Sequence, residues 1–249
     1  MPVTELESAE ALDAAAGGGA KREYVQRIFS EIAPRYDLLN HLLSFNVDRR
    51  WRRMALEALG WERRPDGVYL DLCAGTLDVA VQLAQQPKFN GRVIGADFAE
   101  PMLRAGAGKA SADRVTPVAA DALSLPLATG SASGAIVAFG IRNVTDLDAS
   151  LREVHRVLEP GARFVILECS TPPSAIVRGL YHLYFHHVLP LIGRVISGHQ
   201  TAYAYLPRSV ANFPAVERLA AQMRDAGFVD VQWRTVTLGV TAIHRGTKP

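Results

Sequence analysis

The stretch VYLDLCAGTLDVAVQLAQQPKFNGRVIGAD, residues 68–97, decides the fold. Val68–Leu72 is a short apolar run ending in the turn signal Ala74-Gly75-Thr76, and a helical stretch from Leu77 to Ala84 follows. Arg92–Ala96 repeats the plan and ends at Asp97. A helical pattern then begins near Pro101, and Thr116–Ala119, Gly134–Phe139 and Arg163–Leu167 read as three more strands. Ala149–Leu158 is another helix, stopped by Glu159-Pro160-Gly161. Strands alternating with helices of this length predict a parallel sheet covered on both faces. The end of the chain leaves that alternation. After a helix near Val216–Ala226, Val229–Arg234 and Gly239–His244 are joined so closely that they pair antiparallel. The expectation is an α/β, Rossmann-like sheet of about seven strands with the last one antiparallel.

Composition bounds the rest. The chain has 249 residues, a length for one domain with decorations. Apolar residues make up 49% and charged residues 21%, which excludes disordered, collagen-like and disulfide-stapled chains. No run of about 18 uninterrupted apolar residues exists to span a membrane. Cys73 and Cys169 cannot build a disulfide framework, no His/Cys cluster has zinc spacing, and no metal is expected. A net charge of +2 gives no argument for nucleic acid as a partner. Residues 1–20 carry Glu5, Glu7, Glu10 and Asp13, then Gly17 to Gly19, and lack the basic-then-apolar order of a signal peptide. They read as a disordered acidic tail, leaving 21–249 as the folded domain in a reducing cytoplasm. From Lys21 to Arg64, Ile28, Ile32, Tyr36 and Leu39 recur at helical spacing, with Pro34 forcing a break between two short helices.

In open α/β sheets, ligands bind at the C-terminal edge of the strands. Here that edge presents Asp71 through Thr76 after the first strand and Asp97 after the second. A tight turn at Gly75 lets backbone approach a ligand, and a carboxylate at Asp97 can accept both hydroxyls of a ribose. That is the shared physics of NAD and S-adenosylmethionine (SAM). NAD needs G-x-G-x-x-G to rest a pyrophosphate on a helix N-terminus. This turn lacks that spacing, and Leu77 would crowd a pyrophosphate. SAM has no phosphate and tolerates a single glycine. Asp121, after the third strand, adds an acid able to bond an adenine amine. After the fourth strand, Arg142 and Asn143 offer a fixed charge and an amide, Arg142 either toward a substrate or as a clamp for a neighbouring acid. Glu168 ends the fifth strand with an ion-pair or substrate-side role. Cys73 and Cys169 read as small buried residues.

Three separated motifs resemble one family. Tyr36-Asp37-Leu38-Leu39-Asn40, then Ser44 and Trp51, is similar to the N-terminal signature of the ubiquinone/menaquinone biosynthesis C-methyltransferases. Phe139-Gly140 with Arg142-Asn143-Val144-Thr145-Asp146, and Arg156-Val157-Leu158 through Glu168-Cys169-Ser170, resemble two more of its motifs. The ending, Ala226-Gly227-Phe228 through His244-Arg245-Gly246, is also similar. The resemblance implies a class I SAM-dependent methyltransferase with an N-terminal helical lid. It implies Thr76, Asp97, Asp121 and Ala122 as SAM contacts, with Gly75 and Asp71 beside them. The implied reaction is carbon methylation of a polyprenylated quinol, demethylmenaquinol to menaquinol. A phenol titrates near 10, so a positive charge or base beside the ring oxygen helps at neutral pH. Arg142 is the first candidate, with Asn143, Tyr36 and Asp48 as orienting groups or bases.

The sequence departs from the family at Ala74 and Leu77, which replace two turn glycines, so that Leu77 is expected at the mouth of the SAM pocket. Asp48 stands where the family often has His. Between Glu168 and Glu217 lie 48 residues without an acid, with Arg178, Arg194 and Arg208 and six aromatics. This substrate-side insertion, 171–216, is expected to receive the lipid tail and touch a membrane surface, peripherally on its inner face. A homodimer is open. The alternatives are an aromatic natural-product methyltransferase with a soluble acceptor, a nucleotide-dependent oxidoreductase, and a SAM-binding protein without methyl transfer.

Overall fold

A computed structural model describes residues 19–184 and 200–249. The segments 1–18 and 185–199, which hold most of the acidic tail and the middle of the 171–216 insertion, lie outside the described residues. Three helices come first: α1 (Gly19–Ile32), α2 (Tyr36–Leu43) and α3 (Val47–Leu59). Pro34 breaks the chain as expected, inside a 3-10 turn at Ala33–Arg35. A second break was not foreseen. Phe45 and Asn46 take left-handed φ values of 53° and 61°, ending α2 and starting α3. Asparagine visits that region readily.

The sheet follows. Strand β1 (Val68–Leu72) leads to α4 (Asp78–Ala84), β2 (Arg92–Asp97) to α5 (Glu100–Gly106), and β3 (Val115–Ala119) to β4 (Ala132–Ala138). Helix α6 (Leu147–Val157) runs directly into β5 (Leu158–Cys169). Helices α7 (Ala175–Leu183), α8 (Gln200–Ala211) and α9 (Val216–Asp225) precede the final strands β6 (Val229–Val236) and β7 (Thr241–Thr247). The order is β3-β2-β1-β4-β5-β7-β6. β7 runs antiparallel to both β5 and β6, and the pairs among β1 to β5 are parallel. The α/β expectation holds, including the antiparallel last strand.

Alternation along the strands builds two core layers, because successive side chains point to opposite faces. Leu70, Leu72, Ala135, Val137, Phe164 and Ile166 face α6 and α9, meeting Leu151, Val154, Leu219 and Met223. Tyr69, Ile136, Val165 and Leu167 face the other way, against Leu56 and Leu59 of α3 and Leu83 of α4. Each such fully buried apolar side chain contributes roughly 1.5–3 kcal/mol. The winding reverses between β1 and β4, so the crevice for a ligand opens at their C-terminal ends.

Leu77 corrects one expectation. Its side chain is 3% exposed and packs with Val79, Ala80 and Leu83 in the second layer, away from the mouth of any cleft. Gly95 in the neighbouring β2 makes this room, since a Cβ there would stand 2.3 Å from Leu77 Cδ2. A φ of 67° at Leu77 turns the chain into α4. Leu77→Ala is therefore expected to cost about 2–5 kcal/mol in urea unfolding, with ligand affinity at the strand ends unchanged. Parental stability with altered affinity would return Leu77 to the cleft.

Candidate active site

Left-handed backbone gathers at the crevice. Cys73 (φ 51°), Gly75 (φ 53°) and Phe139 (φ 61°) form the turns that leave β1 and β4. Non-glycine residues held in this region mark sites where the surrounding structure over-determines the backbone. The two turns abut so closely that a Cβ on Gly140 would lie 2.4 Å from Cys73 Cβ.

A narrow cleft of about 60 Å³ runs along the ends of β1, β2 and β3. Gly75, Asp97, Asp121, Ala122, Tyr36 and Asn143 line it. Asp97 Oδ2 accepts from Gly75 N–H at 2.8 Å and Oδ1 from Ala99 N–H at 2.8 Å, fixing the turn across two strands. Burial pushes the Asp97 carboxyl up, and these backbone N–H groups pull against it. A Cβ on Gly75 would point at Met102 Cε (3.3 Å) and Tyr36 Cε1 (3.7 Å), both in the cleft wall, so the glycine keeps that space open. Helix α1 roofs the cleft with Arg22 and Phe29. Arg22 Nη1 pairs with Asp121 Oδ2 at 3.1 Å, and Lys21 Nζ donates to the carbonyls of Arg142 (2.9 Å) and Val144 (2.8 Å).

A second cavity, of about 420 Å³, lies beyond Phe139, the one side chain among the described residues that lines both. Its walls are Leu43, Val47, Trp51, Val177, Leu180 and Val240, with Asp48, Arg142 and the hydroxyl residues Ser44 and Thr241 among them. Thr241 Oγ1 is buried without a partner among the described residues. Such a group is costly unless a ligand satisfies it. Trp51 Nε1–H donates to Thr237 Oγ1 at 2.8 Å, and its ring centroid stands 6.0 Å from that of Phe139.

Arg142 is committed within this wall. Its Nη1 donates to Glu168 Oε1 at 2.7 Å and to the Phe139 carbonyl, and its Nε to Ser209 Oγ at 3.4 Å. The two side chains are 9% and 2% exposed, so this is a buried pair. Burial pulls the guanidinium down, and the charge of Glu168 together with the ionisable Cys169, Tyr36 and Tyr205 around it outweighs that and raises it.

The model of the ubiE/COQ5 methyltransferase family matches residues 18–248. The chain belongs to that family. It is 48% identical over 224 residues to the demethylmenaquinone methyltransferase of Thermus thermophilus, covering 89% of this chain and 100% of that protein. It is 44% identical over 232 residues to the ubiquinone/menaquinone biosynthesis C-methyltransferase UbiE of Geobacter sulfurreducens, covering 92% and 90%. Among solved structures, a SAM-dependent methyltransferase from Thermotoga maritima superposes with a TM-score of 0.62 at 20% identity, covering 90% of this chain and 99% of that one. The [4+2]-cyclase SpnF gives 0.66 at 16%, covering 91% and 95%. These likenesses show the class I methyltransferase fold, and a cyclase among them shows why fold alone does not name a reaction.

The methyltransferase's sequence-flagged residues divide between three places. Tyr36, Gly75, Asp97, Asp121, Ala122 and Asn143 meet at the cleft, while Arg142 and Asp48 meet at the larger cavity. Asp71 and Thr76 line neither and sit behind the turn. Thr76 Oγ1 donates to Asp37, and Asp71 Oδ2 accepts from Ala80 N–H at 3.0 Å, tying β1 to the first turn of α4. A polar chain the sequence reading missed continues from there. Lys109 Nζ bridges Asp37 (2.5 Å) and Asp78 (2.7 Å), and Arg52 Nη1 holds Asp78 at 2.7 Å. Burial raises the Asp78 carboxyl, but Arg52 and Lys109 win and hold it below the usual range. These partners come from three helices and the loop after α5, and no spacing in the sequence signals them.

Asp71 carries a pH test. Burial pushes its carboxyl up to about 7, against the Ala80 N–H and the Arg52 charge. An unfolded Asp titrates near 3.9. The folded state thus holds a proton that the unfolded state releases. The contribution to stability is full below about pH 4 and is lost as pH rises through about 7. Asp71→Asn keeps an acceptor for Ala80 and is expected to gain Tm over the parent progressively from about pH 4 to pH 8. A flat difference in calorimetry would contradict this.

Proposed function

We propose that this methyltransferase moves a methyl group from SAM to a ring carbon of a polyprenylated quinol, converting demethylmenaquinol to menaquinol. The observation that carries the reading is the 420 Å³ apolar cavity that shares Phe139 as a lining residue with the strand-end cleft. Its size falls within the usual 300–1,000 Å³ for a small-molecule site, and its polar groups are few. The named relatives act, by their names, on demethylmenaquinone and in quinone biosynthesis.

The residues present fit the methyl donor. Two acids end adjacent strands, a glycine keeps the turn open, and the cleft floor is small at Ala96, Ala120 and Ala122. Asp97 would hold the ribose, Asp121 and Ala122 the adenine, and Gly75 the turn beside them. SAM, when bound, supplies a methyl already activated on a sulfonium. The protein's task is to present an electron-rich carbon in line with it and to exclude water. Phe139 and Trp51 shape that passage. Asp121 is paired with Arg22 of α1 at 3.1 Å, a contact that the donor would displace. Asp121 is then released to bond the adenine amine.

The acceptor's tail gives the outer surface a role. Leu38, Leu42, Phe45, Ile176, Leu180 and Leu183 are exposed at 42–78%, and Phe45 and Leu180 also line the cavity. Phe45 meets Tyr184 at a ring distance of 6.2 Å, closing one side of the rim. An apolar rim, with Ile176, Leu180 and Leu183 on the acid-free segment and Leu38, Leu42 and Phe45 on and after α2, suits an anionic lipid surface, from which a prenylated ring slides inward. No described helix is long and apolar enough to cross a membrane. Co-sedimentation with anionic vesicles is expected at low salt, weakening as salt rises and with Phe45→Ser. No sedimentation at low salt would leave the rim as a lid only.

Deleting the gene tests the function in cells. The expected result is loss of the methylated quinone and accumulation of its demethyl precursor, restored by this chain. An unchanged quinone profile would favour a soluble aromatic acceptor.

A further inference from the structure

The wall of the larger cavity holds one group that neither the cleft nor the Arg142–Glu168 pair uses. Ser44 and Asp48 face the cavity from either side of the turn between α2 and α3. Ser44 Oγ donates to Asp48 Oδ1 at 2.6 Å, and Asp48 Oδ2 lies 2.9 Å from His41 Nδ1. Asp48 is 3% exposed, an acid set among Leu43, Val47 and Trp51. A hydroxyl in front of a buried carboxylate, with an imidazole behind it, is a path for one proton.

We propose that Ser44 passes the hydroxyl proton of the acceptor ring to Asp48, which His41 holds in place. The proposal rests on the quinol reading above and deepens it. Ser44 touches the ring hydroxyl and is the catalytic residue, while Asp48 and His41 act through it and are positioning residues. The charges around Asp48 favour the direction of transfer. Arg52 Nη2 stands 3.6 Å away on the same helix, but its other end is held by Asp78 at 2.7 Å, so Arg52 does not neutralise Asp48 alone. Asp78 Oδ2 is 3.9 Å from His41 Nε2, and Lys109 lies beyond Asp78 at 2.7 Å.

The balance closes. The ring oxygen's proton passes to Ser44 as Ser44's own proton passes to Asp48 Oδ1, while His41 Nδ1–H holds Asp48 Oδ2. The electron pair left on oxygen conjugates to the ring carbon, which forms the new C–C bond as the methyl–sulfur bond breaks. That bond's pair stays on sulfur. The hydrogen on the methylated carbon leaves as the one net proton, and the relay returns its proton to the ring oxygen.

The test uses the full chain. With SAM bound first, Ser44→Ala is expected to slow single-turnover methylation of the quinol by about 10²–10⁴ near neutral pH, the scale of a lost general base. Its rate should then climb about tenfold per pH unit toward the quinol's own ionisation near 10, where the parent levels off. Ser44→Thr keeps the hydroxyl and should recover most of the rate. His41→Gln can still donate to Asp48 and should keep most of the rate, whereas His41→Ala frees Asp48 and should slow the step while SAM affinity stays. A readout without SAM accompanies these. The parent should bind 4-methoxy-1-naphthol about 3–10-fold tighter than 1,4-dimethoxynaphthalene, the worth of one hydrogen bond, and Ser44→Ala should lose that preference. Parental rate, profile and preference in Ser44→Ala would overturn the relay. Should that variant not fold, a parental pH profile in Asp48→Asn overturns it equally. A parent that methylates no quinol but keeps the naphthol preference sinks the quinol reading and leaves the hydroxyl contact standing.

Discussion

Arg142→Ala is expected to lose about 3–5 kcal/mol of stability, because it strands a buried carboxylate. Glu168 is 2% exposed on its side chain, and Arg142 supplies its closest cation at 2.7 Å. After truncation Glu168 keeps, among the described residues, backbone partners: the N–H of Cys169 at 2.9 Å and that of Arg142 at 3.4 Å. It must then be protonated or hydrated, and β4 and β5 loosen at the site. Adding Glu168→Gln to the alanine variant removes the stranded charge and should recover much of the loss. Arg142→Lys keeps the charge but cannot reach Glu168, the Phe139 carbonyl and Ser209 together, so it should fall between. Urea unfolding reads all three. An alanine variant as stable as the parent, with turnover down by about 10²–10³, would instead give Arg142 an electrostatic role toward the ring oxygen.

Asp97→Asn is expected to weaken SAM binding by roughly 1–3 kcal/mol, about 5–150-fold in Kd. Both Asp97 oxygens already accept a backbone N–H, from Gly75 and from Ala99. Each carboxylate oxygen has a second lone pair free for a ligand. An amide turns one acceptor into a donor facing a donor, which costs the turn as well as the ribose. Calorimetric titration measures it. Unchanged affinity in a folded variant would remove Asp97 from the donor site.

Much of this was readable before any coordinates. The apolar run Val68–Leu72 is β1 residue for residue, because a strand buried on both faces needs a continuous apolar stretch bounded by turns. Asp97 and Asp121 fell into register because parallel strands bring their C-terminal ends to one edge. What failed was whatever depends on a neighbour across the sheet. Leu77 was misplaced because the gap that receives it belongs to Gly95 on another strand. Arg142 and Glu168 were both named, yet only the adjacency of β4 and β5 pairs them across 26 positions. His41 carried no signal, since its link to Asp48 depends on the left-handed turn at Phe45 and Asn46.

The central claim is methyl transfer from SAM to a quinol ring carbon held beside Phe139. Its most direct test incubates the purified chain with SAM and reduced demethylmenaquinol in anionic vesicles and resolves the lipids by mass spectrometry. The account predicts a product heavier by one CH2, with the added carbon on the ring and both hydroxyls still free. SAM bound at the cleft with no methylated quinol formed, or with the methyl found on oxygen, would contradict it.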